Sequence, residues 1–345
     1  MNSKIIIIGA GGIVDAAHLP AYKIAGYFVK GIYDIDMEKS SMLAEKFAIV
    51  NLYSSLEQAI ADGENDTIFD IALPASEMLA VLEKLPVHSA LLLQKPLGEN
   101  LQEANKINQV CKEKNFIAGV NFQLRYAPFI LKLKELIKNG RIGNITDVEV
   151  KINTFTPWHL WPFLTGLKRV EILYHSIHYI DLVRNLLGDP KTITAKTIKH
   201  PDPKINSLAS VRSLINMDYG DYLWANILTN HCHGYGSRHQ QSYIKIEGTE
   251  GAVYIQMGLL LNYPQGEPDV FEYISFNDSA PQEWKEIKID GTWFPHAFIG
   301  SMAEIMRAVN VSNYKPDNSV EDCLQTMRCV EAAYESAAND GVLIK

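Results

Sequence analysis

Three groups of residues in this 345-residue chain have the types and spacing to do chemistry. The first is KIIIIGAGGIV, Lys4 to Val14, in which four isoleucines run into Gly9, Gly11 and Gly12. Glycines here permit positive φ and let backbone N–H groups approach a ligand with no Cβ in the way. A helix following the turn would point its positive end at it, which suits the pyrophosphate of a dinucleotide. Val14 holds the third glycine position of G-x-G-x-x-G, so the match is incomplete. The second is Asp34, about twenty residues on, where a carboxylate can accept from a ribose hydroxyl and repel a 2′-phosphate. That favours NAD over NADP. Asp34 could instead cap the helix beginning near Met37.

The third group lies on Val170 to Leu187, VEILYHSIHYIDLVRNLL, closed by Gly188-Asp189-Pro190. At about 100° per residue, Glu171, Tyr174, His175 and His178 fall in one stripe. A polar stripe in apolar surroundings points to a pocket or an internal network. Glu171-x-x-x-His175-x-x-His178 also has metal-ligand spacing, with His231, His233 and His239 as further donors. Stacked imidazoles on a helix are commoner than metal sites, and no metal is assigned.

The elements that must position these groups alternate. Ile5–Ile8 reads as a strand covered on both faces. Residues 13–25 have helical spacing interrupted by Pro20. Strands at 27–33, 49–52, 67–73, 89–93 and 116–121 alternate with helices at 37–47, 55–62, 75–85 and 99–114. This predicts a doubly wound parallel sheet, a Rossmann domain over 1–121. Leu73-Pro74 and Gln94-Lys95-Pro96 both stand just beyond carboxyl ends of strands, where such sheets bind ligands.

Beyond Asn121 the pattern changes. After a helix at 128–139, strand-like segments with two-residue alternation occupy 145–155, 192–198, 208–217, 222–231, 241–247 and 251–257. Residues 122–345 are expected to form an open antiparallel sheet with helices on one face. The loop Thr156-Pro157-Trp158-His159-Leu160-Trp161-Pro162-Phe163 could line a polyol pocket, rings against C–H faces, or anchor the loop by packing. The helix over 319–338 reads as packing alone.

With 32 Lys and Arg against 40 Asp and Glu the net charge is −8, which offers no footprint for nucleic acid. No apolar stretch is long enough to span a bilayer. Cys111, Cys232, Cys323 and Cys329 form no C-x-x-C pair, and reduced thiols in a cytoplasmic protein are expected.

The ordered set of glycine turn, His18-Leu19-Pro20, Asp34, Leu73-Pro74, Lys95-Pro96 and Glu247-Gly248-Thr249-Glu250-Gly251 resembles the Gfo/Idh/MocA family over essentially the whole chain. These are sugar and cyclitol dehydrogenases. The resemblance implies that NAD is held by Gly9, Gly11, Gly12, Ile13, Asp34, Leu73, Pro74, Lys95 and Gln123. It implies that His178 accepts a proton and that Lys95 stabilises an alkoxide, which an ammonium can do. Arg125, Trp158, His159 and His175, with Lys95 and His178, become candidate substrate contacts.

Two departures stand out. The family's Glu-Lys-Pro is Gln94-Lys95-Pro96 here, and its Asp-x-x-x-His has Tyr174 in the aspartate position. A phenol cannot hold an imidazolium as a carboxylate does, though it can donate or accept a hydrogen bond; Tyr174 is kept as a catalytic candidate. The expected enzyme oxidises a carbinol of a sugar, sugar acid or cyclitol, as a homodimer or homotetramer formed through the second domain's sheet. The alternatives are an enzyme that retains NAD through elimination, glycosidic cleavage or sugar–sugar exchange, and a non-catalytic dinucleotide-sensing regulator.

Overall fold

The computed structural model describes residues 3–160, 162–202, 209–278 and 282–339. The chain divides into two compact units, Met1–Ala127 with Phe294–Met327, and Pro128–Trp293 with Arg328–Lys345.

The first unit is built on six parallel strands: β1 (Lys4–Ile8), β2 (Phe28–Tyr33), β3 (Asn51–Leu52), β4 (Thr67–Ile71), β5 (Ala90–Leu93) and β6 (Ile117–Val120). Their order, β3-β2-β1-β4-β5-β6, reverses direction of winding between β1 and β4. Ligands of such sheets bind outside the carboxyl ends at that switch point. Ile5, Ile6, Ile7 and Ile8 are all buried, as helices on both faces require. Helices α1 (Leu19–Ala25), α2 (Met37–Phe47), α3 (Leu56–Ala61), α4 (Ala75–Lys84) and α5 (Leu101–Glu113) are the crossovers.

Pro20 does not interrupt the first helix. Val14–His18 form a wide π-type turn leading into α1, and Pro20 lies in the first turn of α1, where a missing N–H costs least. The start of α5 is capped by two side chains. Asn100 accepts from the Glu103 N–H at 2.9 Å, and Glu103 reaches back to the Glu99 N–H at 2.8 Å.

The first compact unit is not one continuous run of sequence. The chain returns to it at Phe294, and the helix His296–Asn310, here named α8, supplies Phe298, Met302, Ile305 and Met306 to the core around Ile5 and Ile7. Gly119 on β6 lets α8 come this close, because a Cβ there would lie 2.7 Å from Ile305 Cδ1.

The second unit begins with α6 (Pro128–Lys138) and holds α7 (Ile177–Leu187) and an eight-stranded sheet. Its strands are β7 (Ile145–Asn153), β8 (Thr192–Ile198), β9 (Arg212–Asp218), β10 (Trp224–Asn230), β11 (Gln241–Gly248), β12 (Gly251–Gln256), β13 (Val270–Ser275) and β14 (Lys285–Glu286). The order is β14-β13-β12-β11-β7-β10-β9-β8. The expectation of an antiparallel sheet needs one correction: β7 and β10 pair in parallel. The meander β8-β9-β10 turns the chain twice, so β10 arrives beside β7 running the same way. β13 and β14 extend the sheet beyond the six strands expected. The expected strand 208–217 begins at Arg212, and residue 208 lies outside the described residues. In α9 (Val320–Ala338), Val320, Cys323, Leu324, Met327, Val330 and Ala333 are all buried, as the helical spacing requires. The four cysteines form no disulfide. Among the described residues no helix is long and apolar enough to cross a membrane.

Candidate active site

In the first unit the glycine turn stands at the carboxyl end of β1. Gly9 has φ +110°, and a Cβ on it would lie 2.4 Å from the Ala72 carbonyl oxygen and 3.3 Å from Leu73. Any other residue there would be strained and in collision. Gly11 and Gly12 are exposed, and a Cβ on either would meet nothing within 4 Å. They leave a bare backbone cradle at the start of a helix, which fits a pyrophosphate. Ile13 and Val14 pack inward on the core, so a valine in the third glycine position serves helix–sheet packing.

Asp34 closes the turn from β2. Its Oδ2 accepts from the Ala10 N–H at 2.5 Å and its Oδ1 from the Asp36 N–H at 2.8 Å. The cap of α2 is Asp36, which accepts from the Glu38 and Lys39 N–H groups. Asp34 therefore organises the glycine turn and does not cap the helix. Leu73 is half-buried beside that turn, and Pro74 is exposed at the start of α4. Gln123, in the short 3-10 turn Gln123–Tyr126, is buried, and its Oε1 has no hydrogen-bond partner among the described residues. A buried carbonyl oxygen of that kind fits a ligand amide.

Lys95 follows β5 and is half-buried. Burial lowers its ammonium to about 8. Arg125 takes a different place from the one expected. Its side chain is fully buried, donating to the Asp317 carbonyl at 2.7 Å and to Asp322 Oδ2 at 2.8 Å. That guanidinium ties the segment after α8 to the 3-10 turn, and the substrate-contact expectation for Arg125 is withdrawn.

In the second unit the helix predicted over 170–187 begins as a π-type turn, Glu171–Ser176, and continues as α7. The wider turn splits the expected stripe. Glu171 is wholly buried and accepts from Ser176 Oγ at 2.8 Å, five residues on, and from Ser213 Oγ of β9. His231 Nε2 lies 3.6 Å from it, and Thr156 Oγ1 contacts His231 Nδ1 at 2.9 Å. Burial opposes the Glu171 charge, but His231, Ser213 and Ser176 together outweigh it and hold the carboxyl below its usual range.

His175 stacks on His231 with ring centres 4.6 Å apart, and the Trp158 indole meets both rings edge-on at 5.2 and 5.7 Å. Tyr174 packs against Phe163, and buried His178 stands edge-on to Trp293 at 6.0 Å. His159 is exposed in the turn Trp158–Leu160, and Trp161 lies outside the described residues. Glu171 and His175 thus share a cluster around His231, while Tyr174 and His178 have other neighbours. Among the described residues no three His, Cys, Asp or Glu side chains are grouped to hold a metal ion.

Ser213 and Thr229 carry no sequence signal of their own, and Trp293 opens an aromatic segment to which the sequence assigns no role. Ser213 and Thr229 lie opposite each other on β9 and β10 with their hydroxyls 2.8 Å apart and reach the helix through strand pairing, whereas Trp293 stands outside any strand, in the turn before α8.

Residues 3–122 match the oxidoreductase family's NAD-binding Rossmann fold, and residues 134–344 match that family's C-terminal alpha/beta domain. D-apiose dehydrogenase of Rhizobium rhizogenes is 26% identical over 347 residues, spanning 96% of this chain and 94% of that protein. Glucose-6-phosphate 3-dehydrogenase of Bacillus subtilis is 28% identical over 158 residues, 43% of this chain and 41% of the other. A crystal structure of an oxidoreductase from Agrobacterium radiobacter, in complex with NAD+, L-tartaric acid and magnesium, shares the fold. Its TM-score is 0.80 at 24% identity, covering 98% of this chain and 97% of that one. With both domains matched, the chain belongs to the Gfo/Idh/MocA family of oxidoreductases.

Proposed function

We propose that this oxidoreductase is an NAD-dependent dehydrogenase oxidising one carbinol of a sugar, sugar acid or cyclitol. The observation that carries the reading is Lys95, a half-buried ammonium at about 8 just beyond β5 in a dinucleotide fold. Two relatives named as sugar dehydrogenases support it.

Bound NAD supplies the hydride acceptor. The N–H groups at Gly11 and Gly12 hold its pyrophosphate, with Gly9 and Ile13 shaping the turn. Asp34 accepts from the ribose and repels a 2′-phosphate, Leu73 and Pro74 flank the turn, and Gln123 Oε1 takes an amide N–H. His178, as neutral imidazole, takes the hydroxyl proton, and the Lys95 ammonium donates to the oxygen as its negative charge grows. Tyr174 offers a phenol hydrogen bond where the family has a carboxylate. Trp158 and His175 present rings to substrate C–H faces, with His159 at the loop surface. The chain self-associates through the open sheet face, where exposed Leu214 and Leu228 lie opposite each other and exposed Trp224 stands on the same face.

The test is a panel of sugars, sugar acids and cyclitols, with NAD and NADP supplied separately and NADH absorbance followed. On the substrate found, Lys95→Met and His178→Ala should each lower kcat at least about a hundredfold. Turnover unchanged in either variant overturns the assignment. The Tyr174 replacement favours one second reading, an enzyme that keeps its NAD. Purified protein carrying NAD, with no net NADH formed on any substrate, would establish that reading.

A further inference from the structure

A buried chain of hydrogen bonds in the first unit joins the helix after the glycine turn to the residue before Lys95. His18 Nδ1 donates to Asp70 Oδ2 of β4 at 2.7 Å, and Tyr22 of α1 donates to the same oxygen at 2.7 Å. On the other edge of the His18 ring, the Asn121 amide nitrogen lies 3.2 Å from Nε2 and 3.1 Å from Gln94 Oε1. His18, Asp70 and Asn121 are wholly buried, and the Phe298 ring packs against His18 at 5.0 Å.

With the Asn121 and Gln94 amides oriented as they stand, the donors set the His18 tautomer. Asn121 has two amide N–H groups, and here one faces His18 and the other Gln94. His18 Nε2 must then be bare, so its proton sits on Nδ1, facing Asp70. Gln94 must turn its oxygen towards Asn121. Its own backbone N–H also donates to the Ile71 carbonyl at 3.0 Å. Gln94 is pinned at main chain and side chain, and the next residue is Lys95. Five elements converge on this chain, which exceeds what packing a strand end requires. The links run through Asp70 Oδ2 and Asn121 Nδ2, while buried Asp70 Oδ1 and Asn121 Oδ1 have no hydrogen-bond partner among the described residues. Buried links of this kind are strengthened by the low local dielectric and restrict the groups they join.

We infer that Asp70, His18 and Asn121 are positioning residues: they lock Gln94, and through it hold Lys95 in its half-buried setting. This rests on Lys95 being the working ammonium, but its test does not use turnover. Acetylation of Lys95 by acetic anhydride, followed by peptide mass spectrometry across pH, reads the ionisation of that one amine in cofactor-free protein. The wild type should titrate at about 8. Asn121→Leu removes both donors; Lys95 should then swing outward and titrate at least about one pH unit higher, towards the ordinary 10.5. His18→Gln keeps an acceptor for Asn121 and should retain the wild-type profile.

Thermal melting of each variant by circular dichroism separates the two roles. A network that serves only as scaffold lowers Tm and leaves the Lys95 profile at about 8 in Asn121→Leu, and that result overturns the inference. If Asn121→Leu does not fold, Gln94→Leu, which removes only the last acceptor, carries the same expectation. Loss of turnover in Lys95→Met is scored separately and bears on the dehydrogenase reading alone.

Discussion

Lys95 carries a charge where its surroundings disfavour one. Its folded value of about 8 lies below the ordinary 10.5, so between those limits the unfolded chain binds the extra proton. Stability therefore rises as pH climbs from about 8 to 10.5, and at neutral pH the ammonium is destabilising. Lys95→Met should stabilise the cofactor-free protein by roughly 1–2 kcal/mol at pH 7, discounted for partial exposure, while abolishing turnover. Urea unfolding checks it: the gain should be largest at neutral pH and shrink towards pH 10.5. On the proposed dehydrogenase reading catalysis should run the other way, carbinol oxidation losing the ammonium's contribution as pH rises through about 8. The place of Lys95 just beyond an apolar strand was legible, while its proposed role comes from the family resemblance. The partners that pin Gln94 were not, since His18 and Asp70 are 52 positions apart and meet only once the sheet is wound. Arg125 was misread for the same reason: its carboxylate lies 197 positions away.

At the scale of elements, the π-type turn at Glu171–Ser176 decides which polar groups meet. A stripe drawn at α-helical pitch joins Glu171 to His178, but an added residue per turn rotates Glu171 and His175 towards His231. Hydrophobic period alone carries no sign of such a turn, so the helix was legible and its face was not. Glu171→Gln keeps the shape and removes the charge opposite His231, and should cost about 1–3 kcal/mol at pH 7. The wild-type carboxyl is held below its ordinary value, so its contribution is present above that value and lost as pH falls through the carboxylate range. Urea unfolding from neutral to acid pH should show the gap between wild type and Glu171→Gln closing. A constant gap would mean that the charge of Glu171 contributes nothing.

For the whole molecule, strand alternation made one sheet face readable as buried and the other as open. Exposed Leu214 and Leu228 on the open face give the self-association reading its test. Sedimentation of the wild type at micromolar concentration should show an oligomer, and Leu228→Glu should shift it to the monomer. A monomeric wild type rules the reading out. The chain's return to the first unit was not readable, because an amphipathic helix does not announce which sheet it will cover.

That return also sets an order of events on the ribosome. The Ile5 and Ile7 face of β1 is finished by α8, whose last residue is Asn310, while β6 ends at Val120. About 190 residues are translated between them, which takes roughly 10–40 s at about 5–20 residues per second. For that interval the nascent sheet is an open hydrophobic surface with residues 128–293 of the second unit emerging behind it. Arrested chains ending shortly after residue 293 should therefore stay protease-sensitive in their first 121 residues, and chains released beyond 330 should not. The N-terminal unit, first to be synthesised, is among the last to close.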